Sequence, residues 1–120
     1  MDESVLYEVL TELSGVASAP MTVQQREMRA APVLAAHSVT LSDLVEALRS
    51  TDLPWNRAHA KAFGVDEAGW QQALDAAGLA DVDSVAGLLT TIHGAEAAAA
   101  MVRAGYRPSR DDSGRLNWSR

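Results

Sequence analysis

Apolar residues recur at every third or fourth position along most of this chain, which is the period of an amphipathic helix. In residues 3–14 the apolar stripe runs from Val5 through Val9 to Leu13. Gly15 is expected to end this first helix, because glycine is a poor helix former and a stretch of small residues begins there. The chain therefore opens with a predicted helix and a short linker.

The second helix is predicted from its start signal. Thr22 stands three residues before Gln25, which is the spacing of a capping box. Proline lacks an N–H group and collides with the preceding helical turn, so Pro32 is expected to break or kink this segment. The predicted pieces span about 23–30 and 32–37.

The middle of the chain carries the clearest helix signals. Thr40 precedes Asp43 by three residues, and the apolar residues around them predict a helix over 41–49. Another helix is predicted over 54–63, because it starts with a proline, which suits the first helical position, and Gly64 follows it.

The next helix has a predicted cap at each end. Asp66 is the expected N-cap, with Val65 and Trp70 in the two positions of a hydrophobic staple. The helix should run to about Ala77 and end at Gly78 in a left-handed conformation.

The last helical region is predicted to form two helices. Asp81 or Asp83 is expected to cap the first, and Gly94 is expected to interrupt it. The second, Ala95–Ala104, is rich in alanine, which has the highest helix propensity, and Gly105 should end it.

After the last helix the pattern changes to that of a β-hairpin. Segments 106–110 and 115–119 carry aromatic residues and flank a polar loop that ends in Gly114. Pro108 restricts the first segment to an edge strand or shortens it. The predicted fold class is therefore mainly α: one irregular multi-helix domain over residues 1–120, with six or seven short helices and a C-terminal β-hairpin.

The apolar faces of these elements define the expected core. The aromatic residues Trp55, Phe63 and Trp70 lie at helical spacing, which favours core packing over a functional cluster. The full set of expected core residues is Leu6, Val9, Leu10, Leu13, Leu41, Leu44, Val45, Leu48, Trp55, Phe63, Trp70, Leu74, Leu88, Leu89, Ile92, Met101 and Val102.

Composition narrows the class of protein further. The 120 residues suffice for one domain that needs no crosslink, and the absence of cysteine excludes disulfides, thiolate catalysis and cysteine-ligated zinc. The acidic first residues lack the pattern of a secretory signal, and no apolar run approaches the ~20 residues that span a bilayer. A cytoplasmic protein without membrane contact is expected. Abundant alanine, with one isoleucine and one lysine, is typical of a bacterial or phage protein from a high-GC genome.

The charge of the chain is unevenly distributed around a net −6. Residues 103–120 hold five arginines against two aspartates, a net +3, whereas residues 1–102 hold five basic and fourteen acidic residues, a net −9. The body should repel nucleic acid at long range, while the basic tail could attract an anionic partner.

No arrangement typical of an active site or a metal site stands out. His37, His59 and His93 are never three or four residues apart, so no two can share a metal ion on one helix face. The G-x-S-x-G, Walker and Rossmann patterns are absent. We therefore expect no enzymatic activity, no cofactor and no metal ion, and we identify no small-molecule substrate.

Residues 84–118 follow the order helix, break at His93–Gly94, short helix, glycine-capped end and arginine-bearing hairpin. The stretch from Ala99 to Trp118 resembles the closing part of winged helix-turn-helix domains in bacterial, phage and plasmid primase-helicase-like and replication proteins. The resemblance implies a winged-helix-like part over residues 84–120 that binds DNA. The contacts with nucleic acid would come from Arg103, Arg107, Arg110, Arg115 and Arg120.

The would-be recognition helix departs from the family's pattern, because Glu96 and Arg103 are its only charged residues. Reading base edges needs side chains such as arginine, asparagine or glutamine, so contact would be mainly with the DNA backbone. Two other interpretations stay open: an ordinary solvated hairpin, and a small acidic helical adaptor or inhibitor that binds a protein partner. One exposed patch of arginines would favour DNA, whereas pairing with acids of the body such as Asp75, Asp81 or Glu96 would favour the adaptor.

Overall fold

The computed structural model describes residues 3–50 and 53–120 as a mainly α-helical protein with a C-terminal antiparallel hairpin, which confirms the predicted fold class. A short 3₁₀ turn, Leu79–Asp81, precedes the last helix. The helices are α1 (Glu3–Ser18), α2 (Val23–Ala36), α3 (Leu41–Arg49), α4 (Pro54–Ala62), α5 (Glu67–Ala76) and α6 (Val85–Arg103), and the strands are β1 (Arg107–Arg110) and β2 (Leu116–Ser119).

Helix α6 is the centre of the fold. It packs along α5 and also contacts α1 and α2. Among the described residues, α6 is the one helix that is long and apolar enough to cross a membrane by length and composition alone, and its buried residues belong to the core of a compact domain. Its buried residues are Leu88, Leu89, Thr91, Ile92, Ala95, Ala98 and Ala99.

Capping boxes start α2 and α3, as the sequence predicts. The Thr22 hydroxyl accepts a hydrogen bond from the Gln25 N–H at 3.1 Å, and the Gln25 side chain accepts one from the Thr22 N–H at 3.0 Å. Thr40 and Asp43 form the same reciprocal pair. These bonds satisfy N–H groups that have no partner within the helix.

The predicted ends of α5 are also confirmed. The Asp66 carboxylate accepts a hydrogen bond from the Gly69 N–H at 2.7 Å. Beyond the last turn, Gly78 has a φ of 95°, which glycine adopts without the steric penalty that a side chain brings.

Helix α1 does not end at Gly15 as predicted but continues to Ser18. Ala17 is buried in the core and Val16 packs against it. Because most helical stability in proteins comes from tertiary packing, these contacts outweigh the low helix propensity of one exposed glycine.

Pro32 does not break this segment: α2 runs unbroken from Val23 to Ala36, so the division into pieces over 23–30 and 32–37 is wrong. A proline removes the hydrogen bond to the carbonyl four residues earlier, here that of Met28. Met28 is 69% exposed and Pro32 is exposed too. The unpaired carbonyl therefore lies on the solvent side of the helix, where water can bind it.

The predicted interruption at His93–Gly94 is wrong as well, because α6 is continuous. A glycine in a helix costs about 1 kcal/mol relative to alanine. Burying a side chain such as that of Ile92 contributes about 1.5–3 kcal/mol, so packing on either side holds the helix together. The helix, break and second helix expected within residues 84–118 are thus one helix.

The start of α6 also differs from the prediction, which named Asp81 or Asp83 as the cap. Asp81 lies in the 3₁₀ turn instead. The N-cap is Ser84, whose hydroxyl accepts a hydrogen bond from the Gly87 N–H at 3.0 Å. Serine and aspartate are comparable caps, so their order in the sequence did not decide between them.

A buried asparagine joins α3, α4 and α5. Asn56 is 1% exposed, and its amide nitrogen lies 3.2 Å from the carbonyl oxygens of Ala47 and Leu48 and 2.7 Å from that of Ser50. Its amide oxygen accepts a hydrogen bond from the Trp70 indole N–H at 3.2 Å. The asparagine therefore satisfies the carbonyl end of α3 inside the core.

Most of the expected core residues are buried, but five are less so. Leu41, Val45 and Phe63 are partly buried against the core, and Met101 and Val102 are half-buried. The periodicity missed several buried residues that lie in the last turn of a helix or in connections: Leu34, Val39, Leu53 and Leu79.

Candidate nucleic-acid interface

The C-terminal hairpin has one face on the helices and one face in solvent. Side chains alternate between the two faces of a strand, and β1 contacts both α5 and α6. The half-buried Leu116 and Trp118 pack against the core from the inner face. The paired residues are Arg107 with Ser119, Pro108 with Trp118, Ser109 with Asn117, and Arg110 with Leu116.

The outer face of the hairpin strands carries no carboxylate. It consists of Arg107, Ser109, Asn117 and Ser119, all of them exposed. Arg115 precedes β2 by one residue and continues the same alternation. This set, the hairpin outer face, combines two guanidinium groups with hydroxyl and amide donors, which are the groups that hydrogen-bond to phosphate oxygens.

The loop between the strands is held by Asp111. Its carboxylate accepts hydrogen bonds from the Ser113 hydroxyl at 2.6 Å, the Ser113 N–H at 2.9 Å and the Arg115 N–H at 3.0 Å. The bond from the Ser113 hydroxyl is the largest cause that holds the pKa of Asp111 below its usual range, followed by the bond from Arg115. Gly114 completes the loop with a φ of 84°.

Arg110 lies on the inner register of β1 and holds the hairpin to α5. One guanidinium nitrogen donates to the carbonyl oxygen of Ala76, the last residue of α5, at 3.0 Å. The other donates to the Gly114 carbonyl at 2.9 Å. Of the five arginines, Arg110 is therefore the one engaged with the protein's own backbone on both terminal nitrogens.

Arg103 and Arg120 are exposed near the base of the hairpin. Arg103 lies in the last turn of α6, and its side chain covers Gly64, where an added Cβ would come within 2.8 Å of the arginine Cδ. The guanidinium of Arg120 lies 4.8 Å from the centre of the Tyr106 ring, in the geometry of a cation–π contact.

Among the described residues, the five arginines do not pair with acids of the helical body. Within residues 3–50 and 53–120 the close contacts between basic and acidic side chains given by the structure join Arg57 to Glu67 and His59 to Glu96. Asp75 lines a shallow cavity together with Arg110, but Arg110 binds backbone carbonyls rather than this carboxylate.

Helix α6 has few side chains that could hydrogen-bond to the edges of DNA bases. The second half of the helix buries Ala95, Ala98 and Ala99, and the carboxylate of Glu96 lies 3.2 Å from His59. No separate recognition helix exists in this part of the chain. The exposed guanidinium groups of residues 103–120 therefore lie on the hairpin outer face and near its base, not on a recognition helix.

His59 is the described histidine with the most distinctive surroundings. Its ring stacks on Trp55 at 4.2 Å and lies 4.9 Å from the Trp70 ring and 5.1 Å from the Phe63 ring. Burial lowers its pKa, although the hydrogen bond and the charge of Glu96 act in the opposite direction. At neutral pH the contact is therefore a hydrogen bond from a neutral imidazole to the Glu96 carboxylate.

Comparison of the chain with protein-family models, with curated protein sequences and with solved structures gives no match.

Proposed function

We propose that this protein is a small non-enzymatic nucleic-acid-binding protein of the bacterial or phage cytoplasm that binds the DNA backbone through its C-terminal hairpin. The observation that carries the proposal is the hairpin outer face, where Arg107 and Arg115 are exposed and have no carboxylate partner within residues 3–50 and 53–120. Ser109, Asn117 and Ser119 add neutral donors beside them.

Of the features that resemble a winged helix, only the hairpin supports this proposal. A wing can contact phosphates without a recognition helix in the major groove, and phosphate contacts carry no base information. The continuous and alanine-rich α6 agrees with that mode, because it provides no side chains to distinguish base pairs. The expected binding is therefore independent of sequence.

The five arginines take different parts in the proposed complex. Arg107 and Arg115 contact phosphates, and Arg103 and Arg120 add charge at the base of the hairpin. Arg110 positions the hairpin, because both of its terminal nitrogens already donate to carbonyl oxygens. The net −9 on residues 1–102 opposes the approach of DNA, so we expect weak binding that is strongest at low salt.

Fluorescence anisotropy with two labelled duplexes of unrelated sequence tests the proposal. Dissociation constants of about 10⁻⁴–10⁻⁶ M are typical of non-specific binding, and the two duplexes should differ little. A strong preference for one duplex would contradict backbone binding. Absence of binding at low salt would eliminate the nucleic-acid proposal.

A second candidate function is a helical adaptor or inhibitor that binds a protein partner. The observation that favours it is apolar exposure on α2, where Val23 is 60% exposed and Met28 is 69% exposed. Met28 also lines a shallow surface depression together with Pro20 and Met21. Apolar side chains in contact with water are typical of protein-interaction surfaces when they cluster.

Duplex DNA binding by the wild type, lost in Arg107→Ala, separates the two candidates, because the adaptor candidate predicts no DNA binding at all. Under the nucleic-acid proposal Met28→Gln leaves the affinity for duplex DNA unchanged, because α2 is not part of the hairpin. A loss of DNA affinity in Met28→Gln as large as that in Arg107→Ala would contradict the assignment of the binding surface to the hairpin alone.

A further inference from the structure

The fold brings one histidine and two glutamates together at a place that no helical spacing reveals. Glu8 and Glu12 lie one turn apart on α1, and His37 follows the last residue of α2. One ligand atom of each residue, a carboxylate oxygen or an imidazole nitrogen, lies within 4.8 Å of the others. We propose that Glu8, Glu12 and His37 bind a divalent transition-metal ion, with Zn²⁺ as the probe, and that the ion joins α1 to α2.

The chain connection explains why these residues meet. Only four residues separate the end of α1 at Ser18 from the start of α2 at Val23, and the two helices are in contact. The second helix must therefore return along the first, which brings its C-terminal end beside the middle of α1. Residue 37 consequently lies beside residues 8 and 12, although it is far from them in the sequence.

The backbone that carries His37 is well fixed. The Ser38 N–H donates to the Ala35 carbonyl at 3.2 Å, and the Val39 N–H donates to the Leu34 carbonyl at 3.0 Å. This is the hydrogen-bond pattern of a Schellman motif, and its two apolar residues, Leu34 and Val39, are both buried. The imidazole is therefore attached to a backbone that two helix-end hydrogen bonds and a buried apolar contact hold in place.

The three side chains are available as ligands. Within the described part of the chain none of them takes part in a hydrogen bond or an ion pair. Glu8 and Glu12 are exposed and repel each other at this spacing, and α1 carries no basic residue to offset them. A divalent cation would remove that repulsion and balance the two carboxylate charges.

The donor set indicates the kind of metal. Mg²⁺ and Ca²⁺ prefer oxygen ligands, whereas an imidazole nitrogen favours Zn²⁺ and other late first-row ions. Ligand atoms around a tetrahedral Zn²⁺ ion lie about 3.4 Å apart, because each bond is about 2.1 Å long. The exposed glutamates can close the remaining distance by changing rotamer, and water would complete the coordination.

Isothermal titration of the full chain with ZnCl₂ tests the proposal, with MgCl₂ as the comparison ion. One Zn²⁺ ion should bind per chain, and Mg²⁺ should bind much more weakly. Each of Glu8→Gln, Glu12→Gln and His37→Gln should weaken Zn²⁺ binding about 10-fold or more, since even the loss of an outer partner of a metal ligand costs 10–100-fold. Glu27→Gln and His93→Gln, which change exposed residues elsewhere, should leave the affinity unchanged.

A second measurement on the unaltered chain does not depend on whether the variants fold. Co²⁺ bound to the triad should give a visible absorption band, and the ring resonances of His37 should shift in NMR spectra while those of His93 do not. Equal losses in the control variants, a shift of His93 instead of His37, or no Zn²⁺ binding at millimolar concentration would overturn the proposal.

Discussion

Arg110 donates a hydrogen bond to the carbonyl oxygen of Ala76 at 3.0 Å and thereby ties the C-terminal hairpin to the end of α5. The last carbonyl groups of a helix have no partner within it and carry a partial negative charge, so a guanidinium is a favourable donor there. Thr91 of α6 serves the next carbonyl, that of Ala77, at 3.3 Å. The end of α5 is thus satisfied by side chains from two other elements.

This contact predicts that Arg110 matters more for stability than is usual for a solvent-exposed arginine. Arg110→Ala removes the hydrogen bonds to Ala76 and Gly114 and should lower the free energy of unfolding by about 1–2 kcal/mol, as measured by urea denaturation. Arg115→Ala removes an exposed arginine of the same hairpin and should stay within about 0.5 kcal/mol of the wild type. Equal effects of the two substitutions would mean that the Ala76 contact does not anchor the hairpin.

Substitution of Asn56 should lower the stability more than substitution of Arg110 does, because the hydrogen-bond partners of Asn56 are buried. Asn56→Leu keeps a similar volume but leaves the Ala47 and Leu48 carbonyls and the Trp70 indole N–H without this partner. We expect the free energy of unfolding to fall by about 2–4 kcal/mol. Asn117→Leu on the hairpin outer face is the control and should change it little. A mild Asn56→Leu effect would contradict the role assigned to this amide.

The lowered pKa of His59 should make the stability of the protein depend on pH. Its pKa is lowered in the folded protein, so between the ordinary histidine value of about 6.5 and the lower folded value the unfolded chain binds more protons. The free energy of unfolding should therefore decrease as the pH falls through that window and level off below the folded pKa.

Substitutions of His59 and Glu96 test whether His59 causes this pH dependence. His59→Gln should flatten the pH dependence in this window, whereas His93→Gln should not. Glu96→Gln removes the group that opposes the effect of burial, so the pKa of His59, measured by NMR titration, should fall further. A His59 pKa above 6.5 in the wild type would contradict the account.

Local signals predicted the starts of α2, α3 and α5 well. The capping boxes at Thr22 and Thr40 and the N-cap Asp66 act over three residues, so sequence spacing specifies them completely. The two-strand hairpin was predictable for the same reason, since its loop chemistry lies within one short stretch.

Helix interruptions were predicted poorly, because whether a glycine or proline ends a helix depends on packing against residues distant in sequence. Gly15 and Gly94 remain helical because packing against other helices outweighs their propensity, and Pro32 is tolerated because it lies on the solvent side. The roles of Arg110 and of Asn56 were equally out of reach, since both depend on carbonyl groups supplied by other elements. The five arginines were named from the charge pattern, but their division into an anchor and an exposed group depends on the hairpin's orientation.

The Glu8, Glu12 and His37 triad also depends on a contact between elements that sequence spacing does not show. The pair on α1 has a recognisable spacing of four residues, but the histidine comes from another helix. Histidine spacing alone therefore predicted no metal site, and the contact of α1 with α2 is what brings the third ligand in.

The salt dependence of duplex DNA binding tests the central proposal most directly. Each phosphate contact contributes a slope of about −0.9 to the plot of the logarithm of affinity against the logarithm of salt concentration. The double variant Arg107→Ala/Arg115→Ala should therefore make the slope shallower by about 1.8. Arg29→Ala/Arg49→Ala removes two exposed arginines from the helical body and should leave it unchanged. Wild-type binding with equal slopes in both double variants, or no binding at low salt, would contradict the assignment of the hairpin as a nucleic-acid interface.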